Sequence, residues 1–303
     1  MKNLFCLALI AGMATSAFSQ KTSVTRPSIT GIAGIGLAAQ NLTADRAFYE
    51  KTIGWVATPS IEAPNGLRFF GVPKQWVEIV PATSPDQRPL RYVAFATTDA
   101  KQMRLYLAQH GVTVPTAVSR WTDGSQGFRV KDPEGNTVEF VQSGPLPPHS
   151  APDSRAISSQ MIHAGFIIHS VPVEDSFYKK ILGFRPYWKG GMKDGVTDFI
   201  SIQVPNGTDW IEYILNVPAN PSHQELGIVD HFSLGVVDID TVVAKLSQRG
   251  WKPSPDSHKL MGRDGKYQVN LYDPDGVRVE FMQLRPTQKP CCSPFTGSHP
   301  KPE

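Results

Sequence analysis

Four pairs of matching segments, in the same order in each half of the chain, constrain this sequence more than anything else in it. Phe48-Tyr49-Glu50-Lys51 followed by Ile53-Gly54-Trp55 returns as Phe177-Tyr178-Lys179-Lys180 followed by Leu182-Gly183-Phe184. Trp76-Val77-Glu78 returns as Trp210-Ile211-Glu212, and Gly111, which ends a helical pattern, returns as Gly250. Asp132-Pro133-Glu134-Gly135 ahead of Val138-Glu139-Phe140 returns as Asp273-Pro274-Asp275-Gly276 ahead of Val279-Glu280-Phe281. The offset grows from 129 at the first pair, through 134 and 139, to 141 at the last. Preserved order with a steady drift is the mark of a duplicated domain that has taken small loop insertions. The chain reads as two tandem modules, residues 30–143 and 160–284.

The segments outside the modules differ in composition. Residues 144–158 are rich in proline, which removes backbone donors and stiffens the chain, so they read as a linker. After Leu284 the chain turns to Pro, Ser, Thr and Lys, an expected irregular tail over residues 285–303 that drapes the second module. At the other end Lys2 precedes an apolar run from Leu4 to Met13, and small residues follow up to Ala17-Phe18-Ser19. That is the layout of a secretory signal with cleavage after about Ser19, so the protein is expected to be exported, periplasmic or secreted. The apolar run is too short for a spanning helix, and no membrane anchor is expected. Apart from Cys6 in that run, the only cysteines are the neighbours Cys291 and Cys292. A vicinal disulfide, pairing with another chain, soft-metal binding and no role at all stay open for them. A net charge of +3 without any run of Lys or Arg gives no nucleic-acid footprint and no polybasic membrane patch.

Within each module the apolar patterning alternates between strand and helix. A β-rich run (32–38, 162–168) leads into a short amphipathic helix (43–51, 174–181) that Gly54 or Gly183 stops. Strands including 76–80 and 210–217 follow. The order then restarts with a strand (92–96, 231–236), a helix (100–109, 239–248) and further strands ending at 137–141 or 278–282. Each module is therefore βαβββ twice, an α+β fold of paired βαβββ units with cupped mixed sheets. Period-two alternation assigns the faces. Phe232, Leu234 and Val236 share a face that should pack on helices. His231, Ser233 and Gly235 share the other, as do Arg278, Glu280 and Met282, and these mixed faces should line a concave surface.

Ile162-His163-Ala164-Gly165-Phe166, Phe177-Tyr178 with Leu182-Gly183-Phe184, Val229-Asp230-His231-Phe232-Ser233-Leu234, and Asp273-Pro274-Asp275-Gly276 through Glu280-Phe281 together resemble the vicinal-oxygen-chelate superfamily. This is also known as the glyoxalase/bleomycin-resistance/extradiol-dioxygenase superfamily. The resemblance implies a cup around a divalent metal that binds vicinal oxygens of a small-molecule substrate.

His163 and His231 start strands on the mixed face, and Glu280 lies on the mixed face of the last strand. Two imidazoles and a carboxylate on converging strands make a facial triad with positions left open. Glu212 is the fourth candidate, a carboxylate in a run so apolar that it calls for a partner or a metal. His163, Glu212, His231 and Glu280 match the glyoxalase-type ligand arrangement position by position, and Zn, Ni, Mn or Fe(II) would suit them. The first module holds Gly34, Glu78, Tyr92 and Glu139 at these positions and is expected to be metal-free. Its retained Glu78 is the best argument that the strand glutamate is structural in both copies.

The favoured expectation is a metal-dependent enzyme of the lyase or isomerase kind, in which Glu212 or Glu280 shuttles a proton between adjacent carbons. An Fe(II) extradiol dioxygenase is the alternative that His163, His231 and Glu280 alone would satisfy. Where those dioxygenases place a catalytic His and Tyr, this chain has Asn216 and Asn270, with His169, His223, Tyr267 and Tyr272 nearby in sequence. A third reading is a binding protein of the bleomycin-resistance kind, with Trp76, Trp210, Trp188 and Phe166 as aromatic walls and no catalysis.

Overall fold

A computed structural model describes residues 23–72, 75–144, 155–158 and 160–302. The expected signal segment lies outside these residues, as does most of the expected linker. Two eight-stranded mixed sheets account for the described chain. The first contains β1 (Ile29–Ala39), β2 (Val56–Pro59), β3 (Leu67–Val72), β4 (Gln75–Pro81), β5 (Leu90–Thr97), β6 (Ser119–Arg120), β7 (Gln126–Lys131) and β8 (Thr137–Gln142), in the order β2-β3-β4-β1-β5-β8-β7-β6. The second contains β9 (Gln160–Ile167), β10 (Arg185–Gly190), β11 (Phe199–Gln203), β12 (Trp210–Ile214), β13 (His231–Val236), β14 (Lys259–Met261), β15 (Tyr267–Tyr272) and β16 (Arg278–Gln283), in the equivalent order β10-β11-β12-β9-β13-β16-β15-β14. Helix α1 (Leu42–Ala47) follows β1, α2 (Ala100–Gln109) follows β5, α3 (Val171–Asp175) follows β9, and α5 (Ile239–Gln248) follows β13. The paired βαβββ reading therefore holds strand for strand. One short helix, α4 (His223–Val229), was not anticipated; a Ser222–Glu225 capping box starts it.

The register keeps the duplication to the residue. Gly34 pairs with Trp76 as His163 pairs with Trp210, and Gly36 with Tyr92 as Gly165 with His231. In both modules the first helix widens into a π turn, Phe48–Ile53 or Ser176–Ile181, that carries one fully buried tyrosine, Tyr49 or Tyr178. Gly54, at φ 89°, then reverses the chain in a left-handed conformation that an L side chain resists.

The apolar faces do not form two separate cores. Trp55 packs 6.2 Å from Phe232, and Phe95 packs 5.2 Å from Phe184, so a continuous apolar interior joins the modules. Phe232 and Leu234 lie in it, as strand alternation requires. The opposite faces make two smaller clusters, one in each cup. Trp76 and Tyr92 anchor the first, while Trp210, Tyr187 and Met282 anchor the second.

The tail is irregular and lies on the second module. It crosses between the two edges of that sheet. The Cys291 amide donates to the Arg263 carbonyl beside β14 at 2.9 Å, and the Thr296 amide donates to Tyr187 of β10 at 2.9 Å. Phe295 thereby packs 4.8 Å from Tyr187 inside the cup. Cys291 and Cys292 are joined in a vicinal disulfide, the first of the four roles left open for them. Among the described residues no helix is long and apolar enough to cross a membrane.

Candidate metal centre

Adjacent strands bring the two histidines and the last glutamate together. His163 on β9 sits beside Ser233 of β13, and Ser233 sits beside Glu280 of β16. His231 opens β13 opposite Gly165, where a Cβ would stand 2.1 Å from the imidazole Cε1, so only glycine admits that ring. His163 stacks on Trp210, with ring centres 4.9 Å apart. The Nε2 atoms of His163 and His231 are 3.0 Å apart, and Glu280 Oε2 is 3.3 Å from His163 Nε2. One ligand atom from each of the three residues lies within 4.8 Å of the others. All three side chains are buried.

Glu212 stands at the rim of this cluster. Its Oε2 is 3.6 Å from His231 Nε2, and the Ser201 hydroxyl is 3.5 Å from its other oxygen. The structure thus gathers His163, His231 and Glu280 tightly and sets Glu212 beside them, facing the same cavity.

Charge and protonation suit a cation. Burial pushes both imidazoles well below their ordinary range, helped by Arg278 at both and by His231 at His163, which keeps them neutral. The Val229 carbonyl and Arg278 Nη2 both lie 2.8 Å from His231 Nδ1; the tautomer with its proton on Nδ1 donates to the carbonyl and leaves the Nε2 lone pair facing His163. Glu280 Oε2 and His163 Nδ1 have no hydrogen-bond partner among the described residues. In the tautomers with both protons on Nδ1, two imidazole lone pairs and an orphaned carboxylate oxygen converge on one point, an arrangement that a cation between them would satisfy. Separations of 3.0 and 3.3 Å are those of neighbouring ligand atoms around an ion with bonds of about 2.1 Å. The donor set therefore fits a divalent metal. Burial and the nearby Glu280 charge raise Glu212 to about 8, and burial raises Glu280 as well.

The first module shows what the same frame does without histidines. A Cβ on Gly34 would meet the Trp76 ring at 2.7 Å, so the indole fills the space an imidazole would need. The hydroxyl of Tyr92, the counterpart of His231, donates to Glu78 Oε2 at 2.9 Å. Arg68, at the ladder position of Ser201, donates to Glu78 Oε2 at 2.7 Å, and Arg129, at the position of Asn270, donates to Glu139 Oε2 at 2.5 Å. Two guanidinium groups supply the positive charge, and among the described residues no metal-type cluster forms in this cup. Sequence reading passed over both arginines. Their signal was available: each sits directly across a hairpin from the glutamate it pairs with.

Phe199, Phe295 and Lys266 of the second cup were also missed. A cavity of about 390 Å³ opens onto Glu212 and Glu280, walled by Trp210, Phe199 and Phe295, with Asn270 and Arg278 at its polar end. Lys266 is fully buried beneath the tail, 3.4 Å from Asp264 and 4.5 Å from the Trp210 ring, and burial lowers its pKa. Trp188 and Trp210 line the cavity, whereas Phe166 lies in the shared interior and Trp76 fills the other cup. Of the nearby residues in sequence, His169 is exposed and bonded to Glu134 at the module boundary, away from the cluster.

The family model described as Glyoxalase/Bleomycin resistance protein/Dioxygenase superfamily matches residues 31–140 and 174–281. Solved structures share the fold at low identity. Homoprotocatechuate 2,3-dioxygenase from Brevibacterium fuscum, in its E323L mutant form, is 18% identical, with 91% of this chain and 75% of that one covered at a TM-score of 0.65. BphC, a halotolerant catechol dioxygenase, is 18% identical, with 84% and 87% covered at a TM-score of 0.63. The Mn(II)-bound glyoxalase from Novosphingobium aromaticivorans is 18% identical, with 85% and 83% covered at a TM-score of 0.62. No curated protein is detectably similar in sequence.

Proposed function

The chain belongs to the glyoxalase/bleomycin resistance protein/dioxygenase superfamily, and from that premise we propose a metal-dependent enzyme that moves a proton on a small substrate with vicinal oxygens. The carrying observation is the convergence of His163 Nε2, His231 Nε2 and Glu280 Oε2, with the Glu212 carboxyl 3.6 Å from His231 on the wall of the same cavity. His163, His231 and Glu280 would hold the ion, and Glu212 is either a fourth ligand or the acid–base group. A bound divalent ion would polarise a substrate oxygen and so acidify the neighbouring C–H. Glu212, on the wall of the same cavity, would take that proton as its carboxylate and return it to the adjacent carbon. Trp210, Phe199 and Phe295 would hold the body of the substrate and keep water from the exchanging proton.

One observation favours a second reading, an Fe(II) dioxygenase. The tight cluster has three members, and most of the similar solved structures are named as dioxygenases. Against it, Asn270 lies on the cavity wall where a tyrosine would be wanted, and an amide cannot serve as acid or base there. Export remains part of the proposal: the leading apolar segment supports it, and a Cys291–Cys292 disulfide suits an oxidising compartment.

The test is elemental analysis of protein purified without chelators, with wild type beside the His163→Ala/His231→Ala double variant, followed by two assays. Stoichiometric metal in wild type alone, with exchange of solvent deuterium into a 2-hydroxy ketone, supports the proton-transfer enzyme. Oxygen uptake with catechol and no exchange would replace it by the dioxygenase. Equal metal in both proteins would overturn the centre itself.

A further inference from the structure

Three residues that line the second module's cavity each hold a buried polar atom with no hydrogen-bond partner among the described residues: Glu280 Oε2, Asn270 Oδ1 and Arg278 Nε. Glu280 is accounted for by the metal centre. The other two are not. Asn270 is 8% exposed and sits directly across the β15–β16 ladder from Glu280. Arg278 lies two residues before Glu280 on the same face of β16 and forms no ion pair among the described residues. Its Nη2 lies 2.8 Å from His231 Nδ1. With the Nδ1 proton given to the Val229 carbonyl, that contact offers the guanidinium no acceptor. Both residues line one cavity, and a buried donor and a buried acceptor without partners are costly unless a ligand bound there supplies them.

The first module again serves as the comparison. The position of Asn270 is Arg129 there, tied to Glu139 and Glu62, and the position of Arg278 is Thr137, which carries no charge. Every charge in that cup is neutralised inside it. The second cup keeps a guanidinium that makes no direct ion pair among the described residues, near the carboxyls of Glu212 and Glu280. A divalent ion on His163, His231 and Glu280 leaves it positive overall, whichever protonation state Glu212 holds.

We propose that Arg278 and Asn270 form an anion-recognition subsite, and that the ligand is a small 2-hydroxy carboxylate with an apolar body. Arg278 takes a carboxylate oxygen in a charge-assisted bond, Asn270 Oδ1 accepts from the ligand's hydroxyl, and the indole of Trp210 and the ring of Phe199 face its body. The proposal deepens the reading of the metal centre and rests on it for the cup's positive charge.

Mandelate and its methyl ester are the probes, followed by quenching of tryptophan fluorescence in Mn(II)-loaded protein, with metal content measured separately for every sample. Wild type should bind mandelate more tightly than the ester. Arg278→Gln should weaken mandelate about 10- to 100-fold, the value of one charge-assisted bond, and leave the ester within about two-fold. Arg278→Lys should restore part of the difference, which a merely structural role for the side chain would not produce. Asn270→Ala should weaken both probes, because it removes the hydroxyl's partner and not the charge. An Arg278→Gln protein that folds, holds its metal and still prefers the anion overturns the subsite, as does a wild type that binds neither probe. A wild type that takes up no Mn(II) refutes the metal centre instead, a result the metal measurement reports independently of either probe.

Discussion

The Tyr49 hydroxyl of the first module donates to Asp273 of the second at 3.1 Å, in a buried contact. The duplicated partner runs the other way, from Tyr178 to Asp132, also at 3.1 Å. The two most recognisable motifs of the repeat, the aromatic helix and the Asp-Pro turn, therefore meet across the module boundary. Tyr49→Phe should cost about 1–2 kcal/mol, one buried hydrogen bond, since Asp273 keeps the amides of Asp275 and Val277. The double variant with Tyr178→Phe should lose the sum, because the pairs share no partner. Urea titration measures both, and a neutral outcome for either single variant would deny the hydroxyl any part in holding the modules together.

The same boundary should make the protein sensitive to alkali. Asp45 is buried near Asp273 and Asp275, and burial followed by their charges raises it to about 9 from 3.8. Glu174, its counterpart, is raised by burial and by Asp132. For a carboxyl whose folded pKa lies above its unfolded one, the stability contribution is full below the unfolded value and is lost as pH rises through the folded value. Stability should therefore decline from about pH 4 toward about pH 9. Asp45→Asn with Glu174→Gln should flatten that decline. Melting temperature recorded across this range decides the matter, and an unchanged slope in the double variant would place the sensitivity elsewhere.

Much of this was legible in the residues and some was not, for physical reasons. Strand alternation gives a face but no distance, so His163, His231 and Glu280 could be assigned to one concave surface without knowing that they come within 4.8 Å. The helices 100–109 and 239–248 were readable to the residue because a side-chain cap, from Asp99 or Asp238, and a glycine bound each of them. The π turns were not, because their spacing of apolar residues also fits an ordinary helix. Arg68 and Arg129 went unread because a strand arginine looks solvated until its neighbour across the hairpin is known. Once seen, they answer the question that Glu78 raised.

Glu78 is kept in the first cup by Arg68 and Tyr92, with no call for a metal. Arg68→Ala should then destabilise the protein by about 3–5 kcal/mol, the cost of leaving a buried carboxylate unpaired. Adding Glu78→Gln should recover a large part of the loss by removing that charge. Chemical denaturation of the two variants is sufficient. If the second substitution makes matters worse, the pairing account of this cup is wrong, and Glu212 loses its contrast with Glu78.

Glu212 and Glu280 should separate cleanly by experiment. Glu280 belongs to the three-residue cluster, so Glu280→Gln should shed the metal. Glu212 stands 3.6 Å from His231 at the rim. Glu212→Gln should keep most of the metal and reduce turnover about 10²- to 10⁴-fold, the usual contribution of a general base. Metal analysis alongside deuterium exchange reads both effects. Loss of metal in both variants would make Glu212 a fourth ligand, and the proton carrier would then have to be sought elsewhere.

The tail is the remaining device with a measurable consequence. It bonds to Arg263 near one edge of the second sheet and to Tyr187 at the other, and it lays Phe295 over buried Lys266, 5.1 Å from the ring centre. Tyr187 further donates to, or accepts from, His299 across 2.7 Å. A chain ending after Leu284 should therefore expose the aromatic wall of this cup while leaving the first cup intact. Tryptophan emission should shift to the red, because Trp188 and Trp210 line the opened cavity. Phe295→Ala should produce a smaller shift in the same direction, since the backbone bonds of the strap survive. Reduction of Cys291–Cys292 with both strap contacts preserved should change emission less than truncation does, for the disulfide joins neighbours and closes no long loop. Identical spectra for the truncated and full chains would mean that the cup is open to water with the tail in place.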